Sequence, residues 1–189
     1  MGMTKVFYIV KKNQLTSEKI HEKLLGASVL GDPSYTVFYQ ETIDWLPVFD
    51  PYYCEGQYNA DEEFMVSLED LFGSPVIALA TFDSDVAFVS ICENGDLHRY
   101  IYADEVTLEE FGFEEYEPVI PTELEKYVDG KELQRIWSEK YVPAEDVLQN
   151  IAQLLNTFLV SDENDIGEDV EVIEDIWNTK NRSGVAGRE

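Results

Sequence analysis

Three apolar runs, set close together, constrain this chain more than anything else in it. Val76 to Phe82, Val86 to Cys92 and Leu97 to Tyr102 are rich in β-branched and aromatic residues, with only Asp83-Ser84-Asp85 and Asn94-Gly95 as the main breaks between them. Such runs read as strands. Asn-Gly between two of them is a strong hairpin signal, because both central positions of a type I′ turn need positive φ. A two-residue loop there sets a register. Cys92 faces Leu97, Ser90 faces Arg99 and Phe88 faces Ile101, while Ala87, Val89 and Ile91 share the opposite face with Tyr102, Tyr100 and His98. Both faces are substantially apolar, so both need cover. Helices are expected over one face, with an aromatic loop or a partner over part of the other.

The rest of the chain supplies the other layers. Lys5 to Val10 reads as a buried strand and Tyr35 to Gln40 as another. Thr16 or Ser17 caps a helix that carries Ile20, Leu24 and Leu25 and ends near Gly26. Residues 41–58 hold two prolines, a glycine and five aromatics, the composition of a long structured loop. Asn59 with Glu62 forms a capping box before a helix that buries Phe64, Leu68, Leu71 and Phe72 and stops at Gly73. Thr107 with Glu110 and Thr122 with Glu125 repeat the box. Leu133, Ile136 and Trp137 mark a further helix, and Pro143 opens one with an apolar stripe from Val147 to Leu159. Residues 161–178 are strongly acidic, yet Ile166, Val170, Ile173 and Trp177 fall on one face of a helix, so an acidic amphipathic helix docked on the body is expected there. A disordered tail is the alternative, since Gly167 weakens the first turn. Residues 179–189 read as a flexible tail. The expected architecture is one globular α+β domain over 1–160. Its antiparallel sheet is centred on a three-stranded meander at about 75–102, packed by helices mainly from the C-terminal half.

Charge limits what such a body can bind. Asp and Glu number 39 against 13 Lys and Arg, a net charge of -26. Residues 1–30 are basic, with five lysines against Glu18 and Glu22; the excess acid belongs mostly to 31–160, with 28 acids against five bases. With Tyr 11, Phe 10 and Trp 3, this is not the composition of a disordered acidic chain. Direct binding to nucleic-acid phosphates needs a basic patch that releases counterions, and an anionic membrane makes the same demand, so neither is expected. Val6 to Val10 is too short an apolar run for a signal-peptide core or a membrane span. Two cysteines in unrelated contexts, Cys54 and Cys92, indicate neither a disulfide framework nor a cysteine-rich zinc site, and a cytoplasmic setting is expected.

No catalytic motif stands out. There is no Walker A loop, no G-x-G-x-x-G after a strand, no G-x-S-x-G, no H-E-x-x-H and no C-x-x-C. His21 lies among charged residues of a helix and His98 in a strand. Cys54 sits near Asp50 and Glu55, whose charge raises a thiol pKa. The order of residues from Asp162 does not match a calcium loop. No enzyme activity, cofactor or metal is therefore expected. The constellation that remains is aromatic and acidic. Asp44, Asp50, Tyr52, Tyr53, Glu55 and Tyr58 interleave rings that give contact area with carboxylates that meet Lys and Arg, and Glu114, Glu115 and Glu117 add charge. The bland alternative has Trp45, Leu46, Val48 and Phe49 plugging the sheet, Asp44 and Asp50 as turn residues, and the later glutamates as solvated surface. The expectation is an acidic module that neutralises or sequesters a basic protein, as an immunity-type inhibitor of a nuclease toxin or a nucleic-acid mimic would, a likeness of composition alone. Two alternatives are a small carboxylate-dependent enzyme, with or without a metal, and an adaptor of ordinary surface acidity.

Overall fold

A computed structural model describes residues 4–30, 36–113, 119–139, 142–160 and 166–174. Among these the strands are β1 (Lys5–Lys11), β2 (Thr36–Tyr39), β3 (Trp45–Phe49), β4 (Val76–Phe82), β5 (Val86–Glu93), β6 (Asp96–Tyr102) and β7 (Glu171–Glu174). They form one antiparallel sheet in the order β6-β5-β4-β1-β3-β2-β7. The helices are α1 (Ser17–Leu30), α2 (Pro51–Cys54), α3 (Glu62–Phe72), α4 (Glu105–Phe111), α5 (Gly130–Ser138) and α6 (Ala144–Leu154), with a 3-10 turn at Thr122–Lys126. The fold is α+β.

The meander follows its turn chemistry. Asn94 and Gly95 have φ of 58° and 79°, both positive as a type I′ turn requires. Cys92 pairs with Leu97, Ser90 with Arg99 and Phe88 with Ile101, the register read from the sequence. Glu69 of α3 anchors the turn: its carboxylate accepts the N–H of Asn94 and, at 3.0 Å, that of Gly95.

Strand alternation sorts the core into two layers. Val6, Tyr8, Val10, Val76, Ala78, Ala80, Phe88 and Cys92 face one way, where Ile20 and Leu24 of α1 and Phe64, Met65, Leu68 and Phe72 of α3 cover them. Phe7, Ile9, Ile77, Leu79, Val89 and Ile91 face the other, under Leu133, Ile136 and Trp137 of α5 and Val147, Leu148 and Ile151 of α6. Helices thus cover both faces. α5 and α6 supply one layer, and α1 and α3, with Leu108 of α4, supply the other.

Several local expectations are corrected. The segment taken for a loop contains β3, which lies between β1 and β2. Pro47 is tolerated because β2 pairs only with Val48 and Phe49, so the ladder on that side has ended before the residue that has no N–H to give. Asp61, not Asn59, caps α3, its Oδ1 accepting the Phe64 N–H at 2.8 Å. Asp104, not Thr107, caps α4. The stripe after Pro143 breaks at Asn156 (φ 54°), past the end of α6. Of the expected helix at 161–178, residues 161–165 and 175–178 lie outside the described residues, as does the tail at 179–189. Within it Glu171–Glu174 is a strand, pairing Val37 with Ile173 at the β2 edge. Ile173 is fully buried there, while its neighbour Val172 is 42% exposed.

That contrast is testable. Ile173→Ala is expected to cost about 2–5 kcal/mol in urea unfolding, the range for truncating a buried isoleucine. Val172→Ala should stay within about 0.5 kcal/mol. Equal small effects at both positions would mean that the strand does not dock.

Candidate functional site

The register fixes which loops share an end of the sheet. Tyr8 pairs with Val48 and Lys5 with Thr81, while Ala87 pairs with both Thr81 and Tyr102. The segments that leave β3, β4 and β6 therefore emerge together, beside the start of β1. They are residues 50–63, the turn 83–85 and residues 103–113. An isolated bridge between Lys5 and Glu55 ties the first of them down.

Asp50 organises the first segment. Its Oδ1 accepts the Tyr52 N–H at 2.8 Å and caps the single turn of α2, with Pro51 at the helix start. The turn lays Tyr53 flat on Phe64, ring centroids 4.0 Å apart and 7° from parallel. Tyr52 meets Tyr53 edge-on at 4.9 Å and is 74% exposed. The chain then crosses to Tyr58, whose ring packs on Phe82, Phe88 and Phe113 at 5.8, 6.5 and 6.3 Å. Phe111 and Phe113 hold Phe82 in turn. Tyr58 stands half exposed on this aromatic base, and Val106 of α4, five residues before Phe111, is exposed. Beyond it, Asp61 N–H donates to the Tyr8 hydroxyl at 3.0 Å and starts α3.

Around the rings the chemistry is one-signed. The described parts of these segments carry Asp50, Glu55, Asp61, Glu62, Glu63, Asp83, Asp85, Asp104, Glu105, Glu109 and Glu110, and no Lys, Arg or His. All but Asp50 and the half-buried Asp83 are exposed. Among the described residues the bases that approach are Lys5 and Arg99; Arg99 Nη2 reaches the Ala60 carbonyl at 3.3 Å and Glu62 at 3.9 Å.

Of the residues singled out from the sequence, the structure gathers Asp50, Tyr52, Tyr53, Glu55 and Tyr58 here. Asp44 lies at the other end of β3, about 20 Å away along an extended strand. There its N–H donates to the Asn156 carbonyl at 2.9 Å and its Oδ2 accepts from Asn156 Nδ2 at 3.1 Å, stapling the chain after α6 to the sheet. Trp45, Leu46, Val48 and Phe49 are buried. Glu114, Glu115 and Glu117 lie outside the described residues. Phe82, Phe111 and Phe113 were missed, as were the acids of α4. Their signal was available as a lack of any base in three separated segments, but only the strand register shows that they meet.

The titratable groups are tuned mainly by burial. Burial, helped by the charges of Asp50 and Glu55, pushes the Cys54 thiol up to about 12. Burial, with Glu69 adding, pushes Cys92 to about 12. Neither is a thiolate at neutral pH. His98 is exposed, 3.8 Å from Glu123, and His21 lies 3.6 Å from Glu171. Among the described residues no three His, Cys, Asp or Glu side chains are grouped to hold a metal ion.

Burial also raises the pKa of Asp50, against the N–H groups of Tyr52 and Tyr53 that lower it. An acid whose folded pKa lies above its unfolded value stabilises fully below the unfolded value and loses that contribution as pH rises through the folded one. Asp50→Asn keeps the cap and removes the titration. The variant should therefore gain stability relative to the parent as pH rises from about 4, read as the difference in urea midpoints. A parent that gains on the variant across that window would show a lowered pKa instead. The chain's relationships add nothing to this picture: it matches no protein-family model, no curated protein and no solved structure.

Proposed function

We propose that this chain is an acidic protein-binding module that neutralises or sequesters a basic protein, in the manner of an immunity-type inhibitor of a nuclease toxin or a nucleic-acid mimic. The observation that carries the reading is the coincidence, at one end of the sheet, of outward tyrosines with exposed acids from three segments that contain no base. A basic cleft that accepts phosphates can be filled by fixed carboxylates. Complementary fields raise association rates by roughly 10- to 1000-fold at low salt. Rings on a packed base supply the slow dissociation that charge alone does not. Buried, protonated thiols suit a reducing cytoplasm, and no helix among the described residues is long and apolar enough to cross a membrane.

A carboxylate-dependent enzyme would call for two or more buried carboxylates around a hollow. Among the described residues Asp50 is the one buried carboxylate, and it caps α2. The binding reading is the better supported of the two.

The test compares two variants of equal charge. One changes Glu55, Glu63, Asp85, Glu105, Glu109 and Glu110 to Gln or Asn; the other changes Glu22, Glu41, Asp70, Asp96, Glu125 and Asp146. The unaltered chain, immobilised, should retain a strongly basic protein of its own cell at low salt and release it at a few hundred millimolar salt, where charges are screened within a few ångströms. The first variant should associate about ten-fold or more slowly with that protein, and the second only slightly more slowly. Retention of no basic protein, retention indifferent to salt, or equal loss in both variants would overturn the proposal.

A further inference from the structure

We infer that the outward rings of Tyr52 and Tyr58 are seats for arginine side chains, so that the acidic end of the sheet selects an arginine-rich rather than a merely basic partner segment. This rests on the reading of the chain as a module for a basic protein, and names the chemistry its contact surface prefers.

The exposure of these rings carries the inference. Tyr52 is 74% and Tyr58 50% exposed. Tyr58 has Phe82 and Phe88 of the sheet and Phe113 beyond α4 as its ring neighbours, and Tyr52 has the ring of Tyr53. The rings are thus supported from within and open outward. Leaving a large flat ring in water gains nothing in folding, whereas a ring fixed on a packed base offers contact area with little entropy to lose.

The surroundings specify the occupant. Glu55, Asp61 and Glu63 flank the tyrosines in sequence, while Asp83, Asp85 and the acids of α4 flank Phe82, Phe111 and Phe113 in sequence; Tyr58 rests on Phe82 and Phe113, and Phe111 packs on Phe82. An apolar partner side chain placed on these rings would desolvate those carboxylates without pairing them, at a cost. A cation pairs them. This chain already joins cations to rings elsewhere: Lys11 lies over Trp45 at 5.0 Å and over Tyr127 at 6.0 Å, and Lys12 over Tyr39 at 5.7 Å. Those pairs lie toward the opposite end of the sheet, and none of them involves Tyr52 or Tyr58.

Arginine fits better than lysine for two physical reasons. Its planar, weakly hydrated guanidinium stacks on an aromatic face, and its edge can still give paired N–H bonds to a carboxylate beside the ring. An ammonium is a compact, strongly hydrated charge that surrenders water to do either.

The experiment titrates the full chain with oligoarginine and with oligolysine of equal length at low salt, by calorimetry. Oligoarginine should bind about five- to ten-fold more tightly, within the span expected for a cation on one or two partly exposed rings. Tyr52→Ala combined with Tyr58→Ala should bring the two peptides level, while Tyr52→Phe with Tyr58→Phe keeps the preference, because the ring and not the hydroxyl is the seat. If the loss of Tyr58 unsettles the phenylalanines beneath it, Tyr52→Ala alone should still remove part of the preference. Equal binding of both peptides, or an alanine pair that keeps the preference, would overturn the arginine seats and leave the basic-partner reading standing. Binding of neither peptide would overturn both.

Discussion

Burial of β1, β4 and β5 on both faces governs the rest of this molecule. An antiparallel sheet commonly turns one polar face to water, but here Ile9, Ile77, Leu79, Val89 and Ile91 are as buried as Tyr8, Val76, Ala78 and Cys92 on the other side. Two helical layers are therefore needed, and the chain builds them in sequence. α1 and α3 close the first face on the way to the meander, and α5 and α6 return to close the second. Each layer is tied to the strands by polar groups as well as by packing. Glu69 anchors the β5–β6 turn from α3, and the Ala144 N–H at the head of α6 donates to the Ser84 carbonyl in the β4–β5 turn at 3.1 Å.

With both faces covered by helices, the two ends of the sheet are left to loops, and the two ends differ. At one, cations serve the fold: Lys11 lies over Trp45, Lys12 Nζ reaches the Gln40 and Glu41 carbonyls, Lys23 Nζ reaches the Leu71 carbonyl at 2.8 Å, and Lys126 pairs with Glu93. Hydrogen bonds donated by Lys126 and Tyr127 hold the Glu93 carboxyl below its usual range, against the burial that raises it. At the other end, among the described residues, acids gather around exposed tyrosines with few bases beside them. Net charge far from zero keeps a protein soluble but makes the compact state repel itself. On the proposed reading, clustering acid beside aromatic contact area would turn that repulsion into attraction for a basic partner.

What could be read in the sequence followed from how local its cause was. The Asn94-Gly95 turn and the period of two in its flanking runs are local, and the register they imply is the one observed. Pro47 misled because its cost depends on a neighbour: in isolation it argues against a strand, yet the β2–β3 pairing ends before it. Ile166, Val170 and Ile173 misled differently. All three do pack on the first core, as their apolar character demanded, but a spacing of four and three residues is shared by a helix face and by a chain that winds onto an edge strand. The caps at Asp61 and Asp104 were misplaced by two and three residues, since Asn59 and Thr107 offer the same oxygen to the same kind of donor. The candidate site was half legible. Tyr52, Tyr53, Glu55 and Tyr58 stand together in the chain, whereas Phe82, Phe111 and Phe113 join them only through strand order. Asp44 belongs to the first group by sequence and to the other end of the sheet by geometry.

The central claim is that the acidic, aromatic end of the sheet is where this chain meets cations. Amide chemical shifts of the full chain, followed while oligoarginine is added at low salt, test it most directly. Shifts are expected to concentrate in residues 50–63, in the turn 83–85 and in residues 103–113, with Asp44, Asn156 and the residues around them undisturbed. Shifts spread evenly over the acidic surface, or centred on the end that holds Asp44, would contradict it.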